Sequence, residues 1–193
     1  LRISPEEGLE VVVPRRYNPE RVQRLLQEKK TWIIRNTKRF EEDRRRKILE
    51  QATLPEVIHL PALGETWNVR LEKGNQTGVY LCEEGHATLS IRGAIRKIPD
   101  CHHALRKWLA RKAKVYLPVR LQAMARKHEL SFRKTVIRGQ KTLWGSCSSR
   151  GTISLNYKLL FIEPKMVDVI LLHELCHTRH RNHSTRFWTL MEE

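Results

Sequence analysis

The segment KMVDVILLHELCH, residues 165–177, constrains the chain more than any other stretch. It is apolar almost all round at helical spacing, so it reads as a buried helix rather than one lying on the surface. Glu163-Pro164 starts it, with proline at a tolerated first-turn position. Yet it carries two histidines and a glutamate, groups that need partners once removed from water. A four-residue step turns about 40° past a full revolution and rises about 6 Å. His173 and His177 therefore share one face and can reach one ion. Glu174 lies about 100° round, where it can reach a water on that ion without ligating it, the logic of an HExxH segment.

Such a site needs a third ligand, and His183 is the obvious candidate. Continued helix would turn it away by about 120°, so the chain must leave the helix after about Thr178 and double back. Arg179, His180 and Arg181 suit a helix C-terminus, and Asn182 can take the left-handed conformation there. Ser184 then opens a last helix, STRFWTLMEE, whose Phe187, Trp188 and Met191 would pin the returning segment. Three imidazoles suit one zinc ion and leave a fourth position for water. Glu192 or Glu193 is an alternative third ligand, and Cys176 an alternative fourth that would close the site into a structural one. Asp168 lies on the opposite side of the helix, where an arginine or a backbone N–H would meet it. Cys101-His102-His103 reads as a helix start, because no further ligands stand at usable spacing.

At 193 residues and 40% hydrophobic, the chain can bury one good core or two small ones. It lacks the eighteen consecutive apolar residues of a spanning helix, which argues against a membrane partner. Cys82, Cys101, Cys147 and Cys176 are widely spaced without CxxC, as in reduced, cytoplasmic proteins. The chain begins at Leu1 with no initiator methionine, which leaves a processed N-terminus open. The net charge of +16 is uneven: Asp100 to Glu163 holds 14 Lys and Arg against 3 acids. Within this basic segment Arg106, Lys107, Arg111, Lys112 and Lys114, interleaved with Trp108 and Tyr116, are candidates for phosphate contacts with a nucleic-acid partner.

Residues 1–13 read as two short strands about a Pro-Glu-Glu-Gly turn. A long helix follows, with Asn18 as N-cap and Pro19 at its first position. WNVRLE, GVYLCE and HATLSIRG read as an antiparallel meander. A basic helix runs from Asp100 to about Glu129, and Pro118 should kink it. FRKTVIRG and TISLN are strands, with TLWGSCSSRG between them part strand and part turn. The class is α+β, with an N-terminal β-rich region and one long helix over 1–98 and the HExxH-bearing part over 99–193.

HELCHTRHRNHSTRFW, together with WGSCSSRGTISLNYKLL upstream, resembles the YgjP-like metallopeptidase family of zincins. The likeness extends more weakly over nearly the whole chain. It implies a zincin-like domain with a buried HExxH helix on a mixed or antiparallel sheet. It further implies zinc on His173, His177 and His183, Glu174 as base, and a peptide or protein substrate. The histidine spacing also equals that of metzincins, but His180 replaces their glycine and no Met-turn is visible. ISLN followed by HExxH and a later histidine is similar to SprT-type proteases, which act on proteins crosslinked to DNA. In HExxH proteins the strand before the helix commonly borders the cleft, so Gly151 to Asn156 should offer its edge to an extended substrate. Trp144, Asn156, Tyr157 and His180 are candidate substrate-binding residues.

Overall fold

The computed structural model describes residues 2–4, 8–13, 19–95 and 97–192. The chain forms two compact units, residues 1–54 and 55–193. In the first, strands β1 (Arg2–Ser4) and β2 (Gly8–Glu10) pair antiparallel, as the sequence suggests. The expected turn between them and the Asn18 cap lie outside the described residues. The long helix is divided at Lys29 into α1 (Pro19–Glu28) and α2 (Lys30–Ala52). Hydrogen bonds still bridge the break, from Lys29 N–H to the Leu25 carbonyl and from Ile33 N–H to the Lys29 carbonyl.

The second unit opens with a four-stranded sheet of β3 (Val57–Leu60), β4 (Glu65–Lys73), β5 (Val79–Glu84) and β6 (Thr88–Gly93). Its spatial order is β3-β4-β6-β5, with β4 and β6 parallel and the other pairs antiparallel. This corrects the meander: β5 and β6 form a hairpin, but β6 inserts between β4 and β5. The reason is burial. Thr88, Leu89, Ser90 and Ile91 are all buried, so β6 is covered on both faces and belongs in the interior, whereas β5 is half-exposed and takes the edge. Gly93 makes the close approach possible. It sits at φ +119°, and an added Cβ would fall 2.0 Å from the Gly78 carbonyl oxygen.

Helix α3 (Ile98–Lys127) is the spine of this unit. Its buried positions, among them Ala104, Leu105, Trp108, Leu117, Leu121 and Ala125, recur at three- and four-residue spacing. It runs through Pro118, which leaves the Lys114 carbonyl without its usual i+4 donor. One part of α3 packs on β5, and others on the second sheet and on α4 (Pro164–Cys176). Trp108 donates to the Glu83 carboxylate at 2.7 Å and meets Trp67 edge-on. The core therefore runs unbroken across Pro99. The chain divides after Leu54, and the expected boundary near residue 98 falls inside one packed unit.

The second sheet has β7 (Lys134–Arg138), β8 (Gly145–Cys147) and β9 (Thr152–Asn156) in the order β7-β9-β8. β7 runs parallel to β9, and β8 antiparallel to it. β9 is nearly all buried and paired on both sides, so it has no free edge to offer. The expectation for residues 151–156 is thereby corrected: the edge strands are β7 and β8, and β8 is the one that packs on α4. No helix among the described residues is long and apolar enough to cross a membrane. The class is α+β, as the sequence suggests.

Candidate metal centre

Helix α4 begins with Pro164 after the Glu163 cap and buries Val167, Leu171 and Leu175. Its apolar character is not all interior, however: Met166 and Val169 are about half exposed, at 54% and 50%. This flank, through Val169 and Ile170, forms one wall of a cleft of about 590 Å³. The cleft explains apolar residues on a side of α4 that the core does not cover. Asp168, turned the other way, receives a two-pronged contact from Arg120 at 2.6 and 2.8 Å, and Tyr116 supports the same guanidinium at 2.7 Å. The expected arginine partner is found, although the pair is only partly buried.

The helix ends at Cys176, and His177 is its C-cap. Arg179 and His180 both donate N–H to the Cys176 carbonyl, which turns the chain back. Asn182 does not take the left-handed conformation expected for it; the turn closes without a positive-φ residue in this stretch. A last helix, α5 (Thr185–Glu192), places buried Phe187 against the returning segment. The Phe187 ring lies 5.0, 4.7 and 4.8 Å from the rings of His173, His177 and His183. Trp188 lies against His183 at 5.8 Å. The pinning role read for these two aromatics is thus what brings His183 home.

The three imidazoles converge. Nε2 of His173 lies 3.1 Å from Nε2 of His177 and 3.2 Å from Nε2 of His183. Tetrahedral ligands at 2.0–2.1 Å from zinc stand about 3.3–3.4 Å apart, so these spacings suit a common ion. His177 Nδ1 faces the His180 carbonyl oxygen at 3.0 Å. A carbonyl can only accept, so Nδ1 carries the hydrogen and Nε2 keeps a lone pair for a metal. Burial, reinforced by the His177 and His183 rings, holds His173 below the ordinary imidazole range, which favours the neutral, ligating form. Among the described residues these three histidines are the group able to hold a metal; Cys176 and Glu192 are not part of it, and Glu193 lies outside the described residues.

Glu174 is buried at 6% exposure, and burial pushes its carboxyl up to about 7. Its Oε2 has no hydrogen-bond partner. A buried carboxylate oxygen left unpartnered is costly in a fold that serves only itself. The wall opposite it is Gly145 of β8. A Cβ there would lie 2.7 Å from both Cγ and Oε1 of Glu174, so only glycine admits the carboxylate at this depth. Sequence reading passed over Gly145. Its only sequence signal is a glycine within a strand segment, WGSC, which marks a close approach without saying to what.

The remaining site expectations separate. Trp144 lines the cleft and is exposed. Asn156 is buried away from the cleft: its amide donates to the Gln140 and Leu143 carbonyls, and its Oδ1 accepts from Lys158 N–H. It shapes the loop before β8 rather than lining the cleft. The Tyr157 ring packs against Gly139, where a Cβ would come within 2.5 Å of it. His180 contributes its carbonyl to His177. The five candidate phosphate-binding residues do not form one face. Lys112 is held by Glu65 and Glu83 over the Trp67 ring, and Arg106 lines a different hollow from Lys107, Arg111 and Lys114.

Comparison with curated proteins gave no match. Among solved structures, the chain is similar to the metallopeptidase zymogen of Pyrococcus abyssi abylysin. The likeness has 29% identity over 37% of this chain and 72% of that one, with a TM-score of 0.35. A family match described as YgjP-like, metallopeptidase domain, spans residues 1–193, and the chain therefore belongs to the YgjP-like metallopeptidases.

Proposed function

We propose that this protein hydrolyses peptide bonds with one zinc ion held by His173, His177 and His183. The observation that carries this is the unpartnered Oε2 of Glu174, buried beside three imidazole nitrogens whose spacing suits one ion. Zinc would supply a water acidified toward about 7 and would polarise the scissile carbonyl. Glu174 takes the proton of the attacking water and returns it to the leaving amine; its raised affinity for protons suits both steps. The Gly145 backbone holds that carboxylate in place, and Phe187 fixes the imidazole planes.

An extended substrate would pair with the edge of β8. Trp144 accepts from Asn156 N–H, and Ser148 donates to the Thr152 carbonyl, so the alternation turns the amides of Gly145 and Cys147 away from β9. Those two residues would provide the backbone hydrogen bonds of strand addition. Leu143, Trp144 and Val169, all exposed along the cleft, favour apolar substrate side chains. The reading of a DNA-associated protease rests on the basic segment and on the likeness to SprT-type proteases, and the candidate cations of that segment do not share one face.

The test is Glu174→Gln, assayed for zinc by elemental analysis and for cleavage of a denatured protein. Zinc should remain stoichiometric while hydrolysis falls by about 10²–10⁴-fold. Undiminished turnover would remove Glu174 from the chemistry.

A further inference from the structure

Strand β5 ends the four-stranded sheet, pairing only with β6. Ala94 N–H bonds the Gly78 carbonyl across this pair, while Ala87 and Gly93 turn their carbonyls the other way, toward Asn68 and Gly74. Even-numbered residues of the hairpin therefore bond each other, and the amides of Val79, Leu81 and Glu83 point outward. Their side chains face α3, because Glu83 accepts from Trp108, and Val79 and Leu81 line hollows against that helix.

Three hollows of about 270, 410 and 950 Å³ run along this flank of α3. The first two share Val79, Ala104 and Lys107, and the last two share Leu81 and Arg111, so they form one trough. Val115 and Val119, 74% and 70% exposed, extend its apolar floor. Exposed Lys107, Arg111 and Lys114 stand along it and form no ion pair or hydrogen bond among the described residues. The acids nearby do not neutralise them: Glu83 is engaged by Trp108 and Lys112, and Asp100 lines only the first hollow.

We propose that this trough docks an acidic, extended polypeptide segment, which adds as a fifth strand beside β5. The three cations are spaced by four and three residues, rises of about 6 and 4.5 Å along the helix. Alternate residues of a strand repeat at about 6.7 Å, so carboxylates at every second position can each meet one cation. Main-chain bonds to Val79, Leu81 and Glu83 supply affinity, and the charge row supplies selection.

The test uses a fluorescein-labelled octapeptide of alternating glutamate and threonine, read by anisotropy in the Glu174→Gln background so that nothing is cleaved. Three comparison probes are its lysine-for-glutamate twin, a copy N-methylated at alternate residues, and a twelve-residue oligothymidine. Binding of the acidic peptide should exceed that of the lysine twin at least ~10-fold. N-methylation should abolish the preference, and so should the triple change Lys107→Glu, Arg111→Glu, Lys114→Glu. These three side chains are exposed and unpaired, and circular dichroism checks that the variant stays folded. Undiminished binding by the triple variant would place the peptide elsewhere, including the β8 edge, and overturn the proposal. Equal binding of the N-methylated copy would reduce it to loose charge attraction. Tighter binding of oligothymidine, lost in the triple variant, would replace the peptide by nucleic acid.

Discussion

Each of the two sheets of residues 55–193 packs on a helix with a glutamate at the seam, Glu83 on the strand side in one and Glu174 on the helix side in the other, and the two are treated in opposite ways. Glu83, on β5, accepts from the Trp108 indole and pairs with Lys112, which also reaches Glu65 at 2.9 Å. Glu65, Glu83 and Lys112 thus partner one another, and with the two indoles they lock α3 to its sheet. Glu174, packed against β8, keeps one oxygen without a partner and sits where a neighbouring Cβ is forbidden. Satisfied polar networks of the first kind hold a fold together. An orphaned carboxylate beside three converging imidazoles is a group held ready for something that comes from outside.

The largest expected effect comes from breaking the unsatisfied region at its ligands. His177→Ala should weaken zinc binding by more than ~10²-fold and take peptidase activity with it. The variant should also melt lower in the presence of zinc, because an ion that binds only the folded chain stabilises it. Metal content that stayed stoichiometric would dismiss the ligand assignment.

Gly145→Ala comes next and acts without touching a ligand. The new Cβ must displace the Glu174 carboxylate, since it would lie 2.7 Å from it. Misplacing a base by about 1 Å can cost on the order of 10²-fold in kcat. Zinc content and KM should change little. A fully active alanine variant would show that Glu174 need not lie where it does.

Much of the site was legible because its information is local. The HExxH spacing gathers two histidines and a glutamate at the end of one helix, and the apolar run with its Glu163-Pro164 start fixes that helix. Phe187 and Trp188 identify what holds His183. What escaped depends on partners distant in sequence. Gly145 reads only as a strand glycine until Glu174 stands opposite it. The insertion of β6 between β4 and β5 follows from burial on both its faces, whereas neighbouring strands in sequence default to a meander. By its place before α4 in the chain, β9 reads as the strand whose edge would be open to an extended peptide. Its burial on both sides, shared between β7 and β8, appears only once the sheet is assembled.

The satisfied region should respond in stability and not in chemistry. Glu83→Ala leaves the indole N–H of Trp108, a side chain 1% exposed, without its acceptor. Leaving one buried donor unpaired costs about 1–3 kcal/mol. Chemical denaturation should report that loss, while turnover per folded molecule stays the same. A comparable fall in kcat would mean that the two sheets are coupled, and the contrast between them would lose its force.

The smallest effect is expected at Asp168, which shares α4 with His173 and Glu174 but faces α3. Its contact with Arg120 has the favourable two-pronged geometry, and Arg120 is further held by Tyr116. Both partners, however, keep about a third of their side-chain surface in water, at 30% and 34%. Solvent screens such a pair, so Asp168→Asn should cost no more than about 1 kcal/mol. That corresponds to a fall in melting temperature of roughly 2–4 °C for a unit of this size. The result separates two accounts of α4. If the helix owes its position to Val167, Leu171 and Leu175 in the core, zinc affinity will not move with the loss of the ion pair. A drop in zinc affinity alongside a small thermal shift would instead assign Arg120 the task of setting the rotation of the helix, and through it the aim of His173 and His177.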